Sequence, residues 1–156
     1  MIDRLEALHR WLEQAVERPV AGKAYVDTGT RCLDACPTGA FVAPRVMDAT
    51  RCISYLTIEH RSDIAPELQP LMGDLLYGCD TCQDVCPWNV RFATEVGDAA
   101  LAPRPENVAP DPALLAAMSD DQFRERFKGS PIKRAKRSGL ARNATIVIVN
   151  TTRTSG

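Results

Sequence analysis

"TGTRCLDACPTGA" (residues 28–40) and "YGCDTCQDVCPWN" (residues 77–89) carry one phrase twice, Cys32-Leu33-Asp34-Ala35-Cys36-Pro37 and Cys82-Gln83-Asp84-Val85-Cys86-Pro87. Scattered core cysteines do not repeat C-x-D-x-C-P, so the pattern points to a duplicated ligand-bearing unit. The C-x3-C-P tail ends the bacterial iron-sulfur run C-x2-C-x2-C-x3-C-P, whose fourth cysteine serves the cluster built mainly by the other motif. Counting back from Cys32 in threes meets Gly29 and then Val26, neither of which binds iron.

Applied to this chain, the exchange joins Cys79 and Cys82 to Cys52 and to Cys36, which crosses over from the first motif. These four thiolates suit a [4Fe-4S] cluster. The second cage would join Cys86 to Cys32 and lacks two partners, so one complete cluster and one incomplete metal site are expected. The proline after each last cysteine turns the chain away from the metal. A four-cysteine zinc site fits the C-x2-C spacing equally well, while the C-x3-C-P tails favour iron and sulfide. Buried free thiols and disulfides are the remaining alternatives, and a reducing compartment argues against the second.

The 156 residues, 45% hydrophobic and 25% charged, allow one ordinary domain or two small ones. Nineteen basic against twenty acidic residues leave a net charge of −1, so no global field draws the chain to nucleic acid. The local exception is "KGSPIKRAKRSGLAR" (residues 128–142), with six basic residues and no acidic one. Taken alone, Lys133, Arg134, Lys136 and Arg137 would be a solvated face. No apolar run approaches the roughly 20 residues of a membrane span, and the first residues form a charged amphipathic pattern. A cytoplasmic protein without membrane contact is expected.

Ile2, Leu5, Leu8, Leu12 and Val16 fall at helical spacing and predict a helix ending before Pro19, followed by a short strand in "KAYVDTG" (residues 23–29). "RCISYLTIEH" (residues 51–60) predicts a helix, and "PELQPLMGDLLYG" (residues 66–78) a second one broken near Gly73. "PRPENVAPDP" (residues 103–112) reads as a linker or boundary. Ser119 and Gln122 have capping-box spacing, and Ser130-Pro131 fits an N-cap and first helical position. "TIVIVNTT" (residues 145–152) is β-branched and favours a strand by propensity, and "TTRTSG" (residues 151–156) predicts a disordered tail. His9 and His60 lack metal-ligand spacing to each other, and neither a phosphate-cradling glycine loop nor a GxSxG motif occurs.

"CLDACPTGAFVAPRVMDATRCISYLTIEHR" (residues 32–61) with "YGCDTCQDVCPWN" closely resembles epoxyqueuosine reductase, the tRNA-modifying enzyme family that completes queuosine. The resemblance implies a cobalamin-binding domain, then a two-cluster ferredoxin-like module, then a helical-repeat region that helps hold tRNA. It implies that electrons pass through the clusters to cobalamin, which removes the epoxide oxygen from a modified base of the anticodon loop. "RPVAGKAYVDTG" (residues 18–29) resembles a middle segment of the cobalamin domain, with Asp27 matching the family's proton donor. Here the chain runs from Thr28-Gly29 straight to Thr30-Arg31-Cys32, where the family has a long segment that completes the corrin pocket and delivers the first two cluster cysteines. The missing cysteines look deleted together with that pocket.

On this basis the fold class is α+β and mostly helical. Residues 1–29 are a remnant of the cobalamin-binding domain, 30–102 a ferredoxin-like [4Fe-4S] module, and 103–156 a C-terminal helical, HEAT-like segment. "RNATIVIVN" (residues 142–150) becomes helical by the resemblance, against its propensity. Lys133, Arg134, Lys136 and Arg137 become tRNA contacts, and an electron-donor protein becomes a partner of a monomeric chain. One [4Fe-4S] cluster is expected where the family has two, cobalamin lacks its full pocket, and no turnover is expected from this chain alone. The alternative is a small [4Fe-4S] electron carrier or a metal-stabilised interaction module without catalysis.

Overall fold

The computed structural model describes residues 30–44, 46–94 and 102–154. The expected first helix, the "KAYVDTG" strand and Asp27 lie outside the described residues. Within them the architecture is mostly helical, with one small two-stranded antiparallel sheet.

Helix α1 (Arg31–Ala35) leads through a glycine turn into strands β1 (Phe41–Ala43) and β2 (Val46–Met47), paired with Phe41 opposite Met47. Asp48 then caps a 3-10 turn (Ala49–Arg51), its Oδ1 accepting from the Thr50 amide at 3.0 Å. Helix α2 (Ile53–Ile58) follows and buries Ile53, Leu56 and Thr57. Helices α3 (Thr81–Asp84) and α4 (Pro87–Phe92) carry the second cysteine motif, and α1 packs against α3. The repeated phrase therefore folds as two short helices laid side by side.

The second half opens with a 3-10 turn (Pro105–Asn107) and helix α5 (Pro112–Ala116), whose N-cap Asp111 accepts from the Ala113 amide at 2.8 Å. Helix α6 (Asp120–Arg126) begins with the expected capping box, Ser119 and Gln122 satisfying each other's amides. Ser130 and Pro131 also start a helical turn, but a 3-10 one (Pro131–Ala135). Lys136 at φ 64° breaks it before helix α7 (Lys136–Thr154) sets off in a new direction.

Two expectations are corrected. "PELQPLMGDLLYG" forms only a single 3-10 turn (Pro70–Met72), because Pro70 cannot continue a preceding helix and Gly73 at φ 56° ends the turn. The proline-rich stretch, expected as a linker or boundary, is bound to the segment that follows it: Arg104 donates to the carbonyls of Arg126 and Lys128, and Arg126 reaches back to Asn107. The tail is helical through Thr154 instead of disordered from Thr151. Its threonine hydroxyls donate to carbonyls one turn back, Thr151 to Val147 at 2.9 Å and Thr152 to Ile148 at 3.1 Å. Asn150 clamps this end by donating to the carbonyls of Gln69 and Gly73.

Two buried clusters share α7. The first gathers Ile53, Leu56, Ile64, Leu68 and Met72 around Ile146, with Cys79 against it. The second gathers Leu115, Met118, Phe123 and Phe127 around Leu140 and Ala144. Burial on both faces outweighs the modest helix penalty of the β-branched run, a few tenths of a kcal/mol per residue. Adjacent Leu75 and Leu76 divide in the same way, one packing into each cluster. Among the described residues no helix is long and apolar enough to cross a membrane.

Candidate metal centre

Three loops bring cysteines to one place, each with a different anchor. Cys36 closes α1 in extended backbone at φ −68° and ψ 113°, and the turn beyond it folds back, Gly39 donating to the Cys36 carbonyl at 3.1 Å. That return places the Ala40 amide 3.3 Å from the Cys36 sulfur and the Thr38 hydroxyl 3.6 Å from it. Burial opposes ionisation of Cys36, but the Thr38 hydroxyl and the amides of Ala40, Thr38 and Phe41 outweigh it and hold the thiol below its ordinary pKa.

Cys52 sits between the 3-10 turn and α2, also extended at φ −69° and ψ 123°. Its neighbour Arg51 donates through Nε to the Thr38 carbonyl at 2.8 Å, tying this loop to that of Cys36. Cys79 is fixed from α2: Ser54 Oγ accepts its amide at 3.3 Å, and Thr57 Oγ1 accepts the amide of Gly78 at 3.0 Å. Gly78 has φ 78°, a left-handed conformation that a side chain would strain. Thr81 Oγ1 lies 3.4 Å from the Cys79 sulfur, and Cys82 follows on α3. Burial pushes the Cys82 thiol up, with Cys79, Cys52 and Cys32 adding in the same direction.

Cys36, Cys52, Cys79 and Cys82 line a single cavity, floored by Phe41 and Met47 of the hairpin and by Ile53. Cys32 and Cys86 do not line it. Cys86 has the same extended conformation as Cys36, φ −68° and ψ 119°, at the start of α4. The duplication is thus repeated in the backbone as well as in the sequence. Among the described residues no three His, Cys, Asp or Glu side chains converge closely enough to hold one metal ion.

The basic residues are divided. Arg134 is ion-paired with Glu59, and Arg137 Nε lies 3.0 Å from Asp120 Oδ1, whereas Lys133 and Lys136 are exposed. Asp27 lies outside the described residues. Sequence reasoning passed over Thr38 and Thr81, although both stand two residues after a cysteine, as Cys36-Pro-Thr38 and Cys79-Asp-Thr81. It also passed over Ser54 and Thr57, whose role depends on a contact across more than twenty residues and leaves no local signal.

Residues 28–89 match the family described as the 4Fe-4S double cluster binding domain. Epoxyqueuosine reductase of Pseudomonas aeruginosa is 47% identical over 119 residues, 76% of this chain and 33% of that protein. The Escherichia coli enzyme is 44% identical over 119 residues, 76% of this chain and 31% of its own length. Among solved structures, Bacillus subtilis epoxyqueuosine reductase superposes with a TM-score of 0.75 at 35% identity, covering 88% of this chain and 36% of that one. An epoxyqueuosine reductase crystallised with an epoxyqueuosine-modified tRNA-Tyr stem loop superposes with a TM-score of 0.73 at 37% identity, covering 81% of this chain and 33% of that one. The chain spans about a third of the length of these curated relatives.

Proposed function

We propose that the chain, similar to the epoxyqueuosine reductases, serves reductive deoxygenation of epoxyqueuosine in tRNA by holding a [4Fe-4S] cluster that delivers electrons. The observation that carries this reading is the one cavity lined by the thiols of Cys36, Cys52, Cys79 and Cys82. Zinc would draw four sulfurs to about 2.3 Å from a common centre, whereas a cluster binds each thiolate to its own iron and needs them spread around a larger volume. When bound, such a cluster supplies one-electron transfer.

The chain's own residues do the rest. Phe41, Met47 and Ile53 give the cavity an apolar lining, and Ser54 and Thr57 hold the Cys79 loop against α2. Cys32 and Cys86, which do not line the cavity, are assigned to the remainder of a second site, so one cluster is assigned to this chain where the matching family has two. Cobalamin enters this reading only through the resemblance, because residues 1–29, with Asp27, lie outside the described residues.

The basic face around Lys133 and Lys136 is assigned to tRNA phosphates, supported by the stem loop bound to a relative of the same fold. An electron-donor protein completes the partners. Residues 103–156 read as a HEAT-like helical segment, and residues 30–102 as the cluster module.

Anaerobic reconstitution followed by iron, sulfide and zinc analysis tests the reading. About four iron and four sulfide per chain are expected. Tightly bound zinc without sulfide would overturn it.

A further inference from the structure

We propose that Thr38 and Thr81 set the reduction potential of the cluster by donating hydroxyl hydrogen bonds to the sulfurs of Cys36 and Cys79. The proposal rests on the reading that these cysteines ligate a [4Fe-4S] cluster and goes beyond it, assigning a tuning role to two side chains that are not ligands.

The spacing is the same at both positions, and the direction differs: either atom of the Cys36–Thr38 pair is able to donate, whereas the Cys79 thiol donates to Thr81 Oγ1. Each threonine stands two residues after its cysteine, with Oγ1 at 3.6 Å from the Cys36 sulfur and 3.4 Å from the Cys79 sulfur. In the free thiols the hydroxyl of Thr38 is able to donate as it stands, while that of Thr81 accepts. A sulfur bound to iron has lost its proton, so only the hydroxyl remains as a donor. Thr38 is 1% exposed, and its own carbonyl is held by Arg51 Nε at 2.8 Å, so its hydroxyl has little freedom to turn away. The Ala40 amide already donates to the same sulfur, giving Cys36 a donor from either side.

The direction of the effect follows from charge. Reduction adds one electron to a cluster already bearing four thiolates, and that charge spreads onto the sulfurs. Hydrogen bonds to sulfur stabilise the more negative state and raise the potential. Neither hydroxyl touches a substrate, so both are positioning groups that act through the cysteine sulfur.

The test is an electron-spin-resonance-monitored titration of the anaerobically reconstituted protein with dithionite as reductant. Thr38→Val and Thr81→Val remove the hydroxyl and keep the branched shape. Each is expected to lower the reduction equilibrium about threefold to tenfold, at most about 59 mV for one electron. Thr38→Ser and Thr81→Ser restore the hydroxyl and are expected to keep the parent potential. Valine variants with full iron and sulfide content and an unmoved potential would overturn the proposal. Should the buried Thr38→Val variant fail to load, the half-exposed Thr81→Val decides the matter. The parent protein's iron-sulfur stretching bands, compared in H2O and D2O, give a second readout: the deuterium shift is expected to shrink in Thr81→Val, and an unchanged shift would count against the proposal. A parent protein that takes up no sulfide removes the cluster reading and this proposal together, whereas a loaded cluster with an unmoved potential removes this proposal alone.

Discussion

The side-chain amide of Asn143 donates to the carbonyl of Thr57 at 2.8 Å and to that of Leu76 at 3.1 Å, joining the C-terminal helix to the helix that anchors Cys79. Asn143 is fully buried, and Arg142 beside it donates to the carbonyls of Leu56 and His60. One turn of α7 therefore satisfies the exposed carbonyl end of α2. Asn143→Leu keeps the volume and strands both acceptors. We expect a loss of about 2–6 kcal/mol, at roughly 1–3 kcal/mol per unpaired buried group, measured by urea unfolding. An unchanged midpoint would mean that α7 is not coupled to α2.

Cys79→Ala is expected to remove most bound iron and much of the folded population, since ligand energy in a small metal module is folding energy. Cys32→Ala, outside the cavity, is expected to keep about four iron per chain. Iron analysis of the two variants side by side distinguishes the ligand sets, and equal losses would refute the assignment.

Thr57 Oγ1 accepts the Gly78 amide and donates to the Ile53 carbonyl at 2.7 Å, so Thr57→Val breaks two bonds with one substitution. A cost of about 1–3 kcal/mol is expected, with faster loss of cluster absorbance under a chelator. Ser54→Ala, which removes only the acceptor of the Cys79 amide, is expected to show the same trend more weakly.

Ser119→Ala abolishes the capping box of α6 far from the cysteines. About 1 kcal/mol of stability should be lost with no change in iron content, read from thermal unfolding and metal analysis of the same sample.

For tRNA, Lys133→Ala and Lys136→Ala are each expected to weaken binding of an anticodon stem loop and to reduce the salt slope by about 1. Arg134→Ala is expected to change binding less, because its guanidinium is already engaged by Glu59. Binding isotherms at several salt concentrations check this, and a larger effect at Arg134 would show that the ion pair opens for RNA.

The sequence made the cysteine motif legible because iron-sulfur chemistry writes its ligands at fixed spacing and here writes them twice. Ser119 and Ser130 were legible as caps because a cap is a local exchange over two or three residues. The fate of residues 145–152 was not decided locally. Their β-branched side chains favour a strand, and the helix wins through Ile146 and Ala144, which enter two different clusters, and through Asn150, which clamps loop carbonyls. The single turn at Pro70 and the threonines beside the sulfurs were missed for the opposite reasons, one a helical pattern overruled by Pro70 and Gly73, the other a two-residue spacing without an established signature.

The crossing of Cys36 into the cavity of Cys79 and Cys82 imposes a timetable on biosynthesis. At roughly 5–20 residues per second, the ribosome takes on the order of seconds to progress from Cys36 to Cys82, and during that time the first thiols exist without their cavity. The wall behind Cys79 then waits for Ile146 and Asn143, which are made later still. Metal loading therefore follows the synthesis of α7, and a nascent chain stalled before α7 should present reactive thiols to any oxidant or stray metal it meets.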